Sequence, residues 1–386
     1  MVNEELARAR AALAAAGCDV ALLSSVAHVT YVSGFAMPHA VGFSAVTPYA
    51  APFAVLPVAG DCAWLATSVF HAAQAQRESR LEHLLTYAGF DSFSPTDPRA
   101  SYLNTLRDAL RQAGLVGRGR LGVEARALPY GAAAALAAAF PHVTLVPVDE
   151  ALATARLTKT AREIARLRRA AQIGDVGQQA LAALVQTAGR NEFELYGVAV
   201  AQMQAAAGAA ITVIGELVTG PRLPNAEYPA GPRDRTTVTG DVALLDTSQR
   251  VDGYWSDCTN THLVGGATPT AWQHKYVRAA REAFEAVVEQ LRPGRRAAEA
   301  WAAAEVVFER YGLTQRHYLG HQLGVTDNED PRLTAYDQTP LEADMVFAIE
   351  PGAYEDPGGS FGVRFEKVVH VKVTGPEILS QFEWGL

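Results

Sequence analysis

Cysteine is scarce, with three in 386 residues. Cys18, Cys62 and Cys258 are odd in number and irregularly spaced, so no disulfide framework is expected and a reducing compartment suits the chain. Clustered positive charge is missing as well. The formal net charge is -8 and the arginines are scattered, which gives no basis for nucleic acid as a partner. No apolar run approaches the roughly 20 residues that cross a bilayer, and even the alanine-rich stretch 131–139 stops at Pro141. The first residues carry Glu4 and Glu5 and alternate Arg with Ala, unlike the basic-then-apolar plan of an export signal. A cytoplasmic protein with no membrane partner is the expectation.

What is present describes a folded enzyme-sized chain. Hydrophobic residues make up 49% and charged residues 19%, ordinary proportions for a compact protein. The length exceeds what one core usually supports, which predicts two domains. Over residues 1–150, apolar runs (Val20 to Leu23, Phe53 to Val58, Leu121 to Val123) alternate with stretches rich in Ala, Leu and Arg, an α/β pattern. Gly60-Asp61 marks a hairpin, 35–52 is assigned no element, and 149–158 lacks periodicity, which puts the domain boundary there. The second domain, 155–386, opens with helices over 160–187 and 192–207, started by Thr160 with Glu163 and by Asn191. A further helical pair spans 271–291 and 297–311. Strands are predicted over 242–248, 254–264, 345–350 and 362–373.

Five residues stand out in those strands. Asp246 ends the run Val242 to Leu245, and Asp257 follows eleven residues later across the turn Asp252-Gly253. If the turn pairs Ser248 with Asp257, the two carboxylates share a face about 7 Å apart. His321 lies in Leu319-Gly320-His321-Gln322-Leu323-Gly324, Glu350 ends the run Met345 to Ile349 before Pro351, and Glu366 shares a strand face with Arg364. Each alone has a bland reading as a cap, a turn residue or a surface pair. Together, four acids and one imidazole at strand ends form an oxygen-rich donor set suited to Mn, Co, Fe or Zn. Clustered carboxylates repel one another unless divalent cations stabilise their ionised forms. Two such cations activate water for hydrolysis.

These segments resemble the pita-bread metallopeptidase family, which includes methionine aminopeptidase, aminopeptidase P and prolidase, and whose fold creatinase shares. The resemblance rests on the Asp pair, Gly320-His321-Gln322-Leu323-Gly324, Ile349-Glu350-Pro351-Gly352 and Val363-Arg364-Phe365-Glu366, in that order. Cys18 to Leu23 and Tyr31-Val32-Ser33-Gly34-Phe35 extend it to a creatinase-like N-terminal domain. It implies an α/β (α+β) protein with a pita-bread catalytic domain, a homodimer, and a pair of divalent ions, Mn favoured over Co or Zn. Asp246 would hold one ion, His321 and Glu350 the other, with Asp257 and Glu366 bridging. Glu350 would also act as the general acid and base, and Arg364 would support the site or position a substrate carboxylate. The implied substrate is a peptide cut at proline.

Two family histidines are replaced. The position seven residues after His321 is Asn328, and the one upstream of Asp246 aligns with Pro229. Asn328 is left as a neutral donor, with Tyr228, Arg222, Arg233 and Arg235 as further candidates to reach the site. Arginines there would favour a free substrate C-terminus, hence a carboxypeptidase alternative. Hydrolysis or lysis of a small non-peptide substrate is a second alternative, and a non-catalytic binding module a third. His262 and His317 are candidates to support the ligands.

Overall fold

The computed structural model describes residues 3–37, 51–225 and 230–386, and the chain divides into two compact units, Met1–Leu157 and Thr158–Leu386. In the first, the described strands are β1 (Val20–Leu23), β2 (Phe53–Pro57), β3 (Trp64–Ser68), β4 (His83–Tyr87), β5 (Arg118–Val123) and β6 (His142–Pro147), ordered β4-β3-β2-β1-β5-β6. β2 and β3 pair antiparallel around Gly60-Asp61, as the turn residues predict. The described α-helices are α1 (Glu4–Ala15), α2 (Val26–Ser33), α3 (Ala72–Glu78), α4 (Pro98–Gln112), α5 (Tyr130–Ala139) and α6 (Asp149–Ala155). Leu22, Phe53, Val55, Leu106, Leu121 and Leu136 form the core between sheet and helices. α6 corrects the reading of 149–158 as aperiodic. Its seven residues are too few to show a helical stripe, and Asp149 accepts hydrogen bonds from the Ala125 and Arg126 amides.

The second unit holds α7 (Ala161–Leu184), α8 (Glu192–Ala207), α9 (Gln273–Gln290) and α10 (Ala297–Arg310). The sequence signals for the first two starts are realised. Thr160 and Glu163 close a capping box, and Asn191 accepts from the Phe193 amide. β7 (Thr212–Thr219), β8 (Val242–Val251) and β9 (Tyr254–Leu263) form an antiparallel sheet. α7 lies on it, its Gln178 donating to the carbonyls of Leu245 and Cys258. A second sheet, ordered β11-β10-β12-β15-β16, comprises β10 (Gly320–Gln322), β11 (Glu329–Arg332), β12 (Val346–Ile349), β15 (Lys367–His370) and β16 (Glu377–Ile378). β13 (Gly352–Tyr354) pairs with β14 (Gly362–Arg364) beside it.

Two expectations need correction. β8 does not stop at 248 but runs on to Val251, so Asp246 and Asp257 sit within strands rather than at their ends. The continuation is polar yet buried at Gln249 and Arg250, which hides it from a hydrophobicity pattern. The predicted strand 362–373 is broken at Phe365-Glu366, where the chain leaves the β13–β14 pair and enters the larger sheet.

Candidate metal centre

The hairpin between β8 and β9 sets the geometry. Asp252 and Gly253 both take positive φ, 50° and 87°, the conformation a two-residue turn needs to match the strand twist. The resulting register pairs Ser248 with Asp257 and Asp246 with Thr259, so the two acids face the same side. On β7, Glu216 is paired with Asp246. Glu216 was not singled out from sequence, though a lone acid within Val213 to Val218 is a usable signal.

The second sheet brings the imidazole and the remaining acids. His321 is central in β10, between Arg332 and Ala348. Gly320 has φ 151°, and a Cβ there would run into the Ala348 carbonyl. Gly320→Ala should therefore cost about 3 kcal/mol of stability, measured by urea unfolding, because strain and overpacking coincide. The Glu350 amide donates to Leu319 O at 2.9 Å, and the Glu366 amide to Thr259 O at 2.9 Å. Thr259 joins both sides: its hydroxyl donates to Glu366 Oε2 at 2.6 Å and accepts from Arg364 Nε at 3.3 Å. Arg364 and Glu366 thus serve one site despite the strand break between them.

A cavity of ≈ 320 Å³ is lined by Asp246, Asp257, His321, Asn328, Glu350 and Arg364, with Glu216, Ser248, Tyr318 and Asp327 among its other walls. Donor atoms of Asp257, His321 and Glu366 all lie within 4.8 Å of one another. Burial pushes the carboxyls of Asp246 and Asp257 up to about 7 and that of Glu350 up to about 8, against the pull of Arg364. Glu366, 1% exposed, is raised well above its ordinary range by burial and by the acids around it. Burial lowers the His321 pKa, which favours the neutral ring a metal requires.

The donor chemistry fits divalent cations. His321 Nδ1 is 3.0 Å from Gln322 O, so Nδ1 carries the proton and the Nε2 lone pair faces Asp257 Oδ2 and Glu350 Oε1, each at 3.8 Å. A lone pair aimed at two carboxylates is favourable with a cation between them. Asp257 Oδ1 is likewise buried without a hydrogen-bond partner. Asp246 differs: it is paired with the Arg364 guanidinium, which also reaches Glu216 Oε2 at 3.2 Å. Arg364 is thereby placed as a support of the acids.

Other sequence candidates fall elsewhere. Arg222 is paired with buried Glu192, and Arg235 makes a two-pronged pair with Asp241, so both support the fold rather than line the cavity. His262 does not line the cavity, whereas His317 does, with its Nε2 3.3 Å from the Tyr354 hydroxyl. Tyr228 and Pro229 lie outside the described residues.

A two-unit chain with a buried set of acids and an imidazole beside a cavity defines a class, the metal-dependent hydrolases. The model of metallopeptidase family M24 matches residues 165–373, and that of the creatinase/prolidase N-terminal domain matches residues 5–158. The chain belongs to metallopeptidase family M24, with the pita-bread fold of its creatinase and prolidase branch. An Xaa-Pro dipeptidase of Pyrococcus horikoshii is 28% identical over 371 residues, 95% of this chain and 93% of the relative. A putative dipeptidase of Bacillus subtilis is 30% identical over 269 residues, 68% of this chain and 71% of the relative. The crystal structure of the prolidase from Pyrococcus horikoshii matches with a TM-score of 0.79 at 26% identity, covering 100% of each chain. The protein is a metal-dependent peptidase. No described helix is long and apolar enough to cross a membrane.

Proposed function

We propose that this peptidase is an Xaa-Pro dipeptidase working with two divalent ions. The observation that carries the metal number is charge: Glu216, Asp246, Asp257, Glu350 and Glu366 share the single guanidinium of Arg364. Two dications would bring that set to neutrality, and one would leave it acidic. Proline specificity is supported by the Xaa-Pro dipeptidase relative that spans nearly the whole chain. The cavity, near the lower end of small-ligand pockets, suits a short peptide.

Asp246, Asp257, His321, Glu350 and Glu366 would together hold the ions. Bound there, the ions supply an activated water and polarise the scissile carbonyl. Glu350, which lines the cavity beside His321, would accept the proton of such a water and return it to the leaving nitrogen. Arg364 holds Asp246 and Glu216 in place. A homodimer is part of the same reading, and light scattering should give twice the 41.2 kDa chain mass.

The test is a substrate series with added Mn, Co or Zn: Ala-Pro, Ala-Ala, Ala-Pro-Ala-Ala and N-blocked Ala-Pro, together with metal content. Release of proline from Ala-Pro at least tenfold faster than cleavage of the others, with two ions per chain, is expected. Faster attack on Ala-Pro-Ala-Ala would make it an aminopeptidase. Cleavage of the N-blocked substrate would make it a carboxypeptidase, and an inert series would move the reading to a non-peptide substrate.

A further inference from the structure

A peptidase needs a hydrogen-bond donor for the carbonyl oxygen that gains charge as the carbon becomes tetrahedral. In the family this chain resembles, imidazoles serve there, but Asn328 stands at one such position and the other aligns with Pro229. Most described polar side chains of the cavity are already engaged. Arg364 is held by Asp246, Glu216 and Thr259, and Ser248 donates to Asp257 at 2.9 Å. His317 faces Tyr318 O with one ring nitrogen and the Tyr354 hydroxyl with the other.

We infer that the Tyr318 hydroxyl is that donor, a catalytic residue, and that Asn328 is the positioning residue that aims it. Tyr318 lines the cavity, and Asn328 Nδ2 donates to its hydroxyl oxygen at 3.3 Å. That occupies the oxygen and turns the O–H bond away from Asn328. The Glu350 carboxylate lines the same cavity. The ring is confined. Its centroid is 6.0 Å from that of His321 and 5.7 Å from the Arg332 guanidinium carbon, and the backbone beside it is tied by the bond from the Glu350 amide to Leu319 O. The phenol is thus fixed next to the proposed base and a proposed ligand, where a substrate carbonyl must lie. It donates a hydrogen bond and keeps its proton.

The inference rests on the peptidase reading, and its test separates the two. Tyr318→Phe, assayed on Ala-Pro, should lose about 10²-fold in kcat with KM within threefold. Asn328→Ala should lose about tenfold, and the double variant no more than Tyr318→Phe alone, since Asn328 acts through the phenol. A phosphinic isostere of Ala-Pro, which mimics the tetrahedral state, should bind Tyr318→Phe about 10²-fold more weakly, while proline binds within threefold. Metal content and Tm should match the parent chain. Equal weakening for isostere and proline, or a kcat within threefold of the parent, overturns the role of Tyr318; additive losses overturn that of Asn328. If the parent chain cleaves no Ala-Pro, the dipeptidase reading fails by itself. Calorimetry of the isostere then decides, selective loss in Tyr318→Phe supporting the inference and unchanged or absent binding overturning it.

Discussion

Glu350→Gln is expected to lower kcat on Ala-Pro by about 10³-fold, within the range that a lost general base produces. The amide keeps the volume and the backbone bond to Leu319 O, so the local fold should hold. What goes is the ability to take a proton and one anionic donor facing His321 Nε2. The loss should therefore appear in kcat at saturating metal, with a weaker affinity for one of the two ions. Proline release and metal titration check both parts. A variant retaining more than a tenth of the parent kcat would remove Glu350 from the proton-transfer role and leave it a ligand only.

The second large effect is on stability. The carboxyls of Asp246, Asp257 and Glu350 stand near 7 to 8 in the folded chain because burial disfavours their charge. In the unfolded chain such groups titrate near 4. Their folded values are raised, so the metal-free native state binds more protons over that interval. Its stability is then fullest below about pH 4 as far as these groups are concerned, and is lost as pH rises through 7 to 8. Divalent ions hold the same groups ionised and cancel the loss. Chelation should thus lower Tm by on the order of 10 °C at pH 8 and by only a few degrees at pH 5. A chelation effect equal at both pH values would show that the acids are not the ligands. Scanning calorimetry with and without chelator makes the measurement.

How far the site could be read in advance depended on the kind of signal. Asp252-Gly253 demands positive φ at both positions, which pins the hairpin, and the pairing of Ser248 with Asp257 follows from that turn alone. The lengths of the strands were less legible. Gln249 and Arg250 are buried polar residues that read as a loop until α7 is laid over the strand, where Gln249 reaches the Ala170 carbonyl. The break at Phe365-Glu366 leaves no mark either, because Val363, Phe365, Val368 and Val369 form one apolar sequence whichever sheet they join. Tyr318 was passed over for another reason. A tyrosine between His317 and Leu319 carries no periodicity, and its importance lies in a bond to Asn328, ten residues away. The arginines failed in the opposite sense: Arg222 and Arg235 looked available only because their partners, Glu192 and Asp241, cannot be paired with them by spacing.

The break at Phe365-Glu366 also bears on how the second unit comes apart. Asp246 and Asp257 belong to the β7–β9 sheet, His321 to the larger sheet and Arg364 to the β13–β14 pair, while Glu366 sits on the crossing between the last two. Ions held by the acids and His321 would act as a clasp across the seam between the β7–β9 sheet and the larger sheet, which backbone hydrogen bonds do not close along its whole length. Stripped of that clasp, the seam should be the first place to breathe. Amide exchange at Glu350 and Glu366, whose protons are lodged on Leu319 and Thr259, should quicken on chelation well before the interior of β8 does.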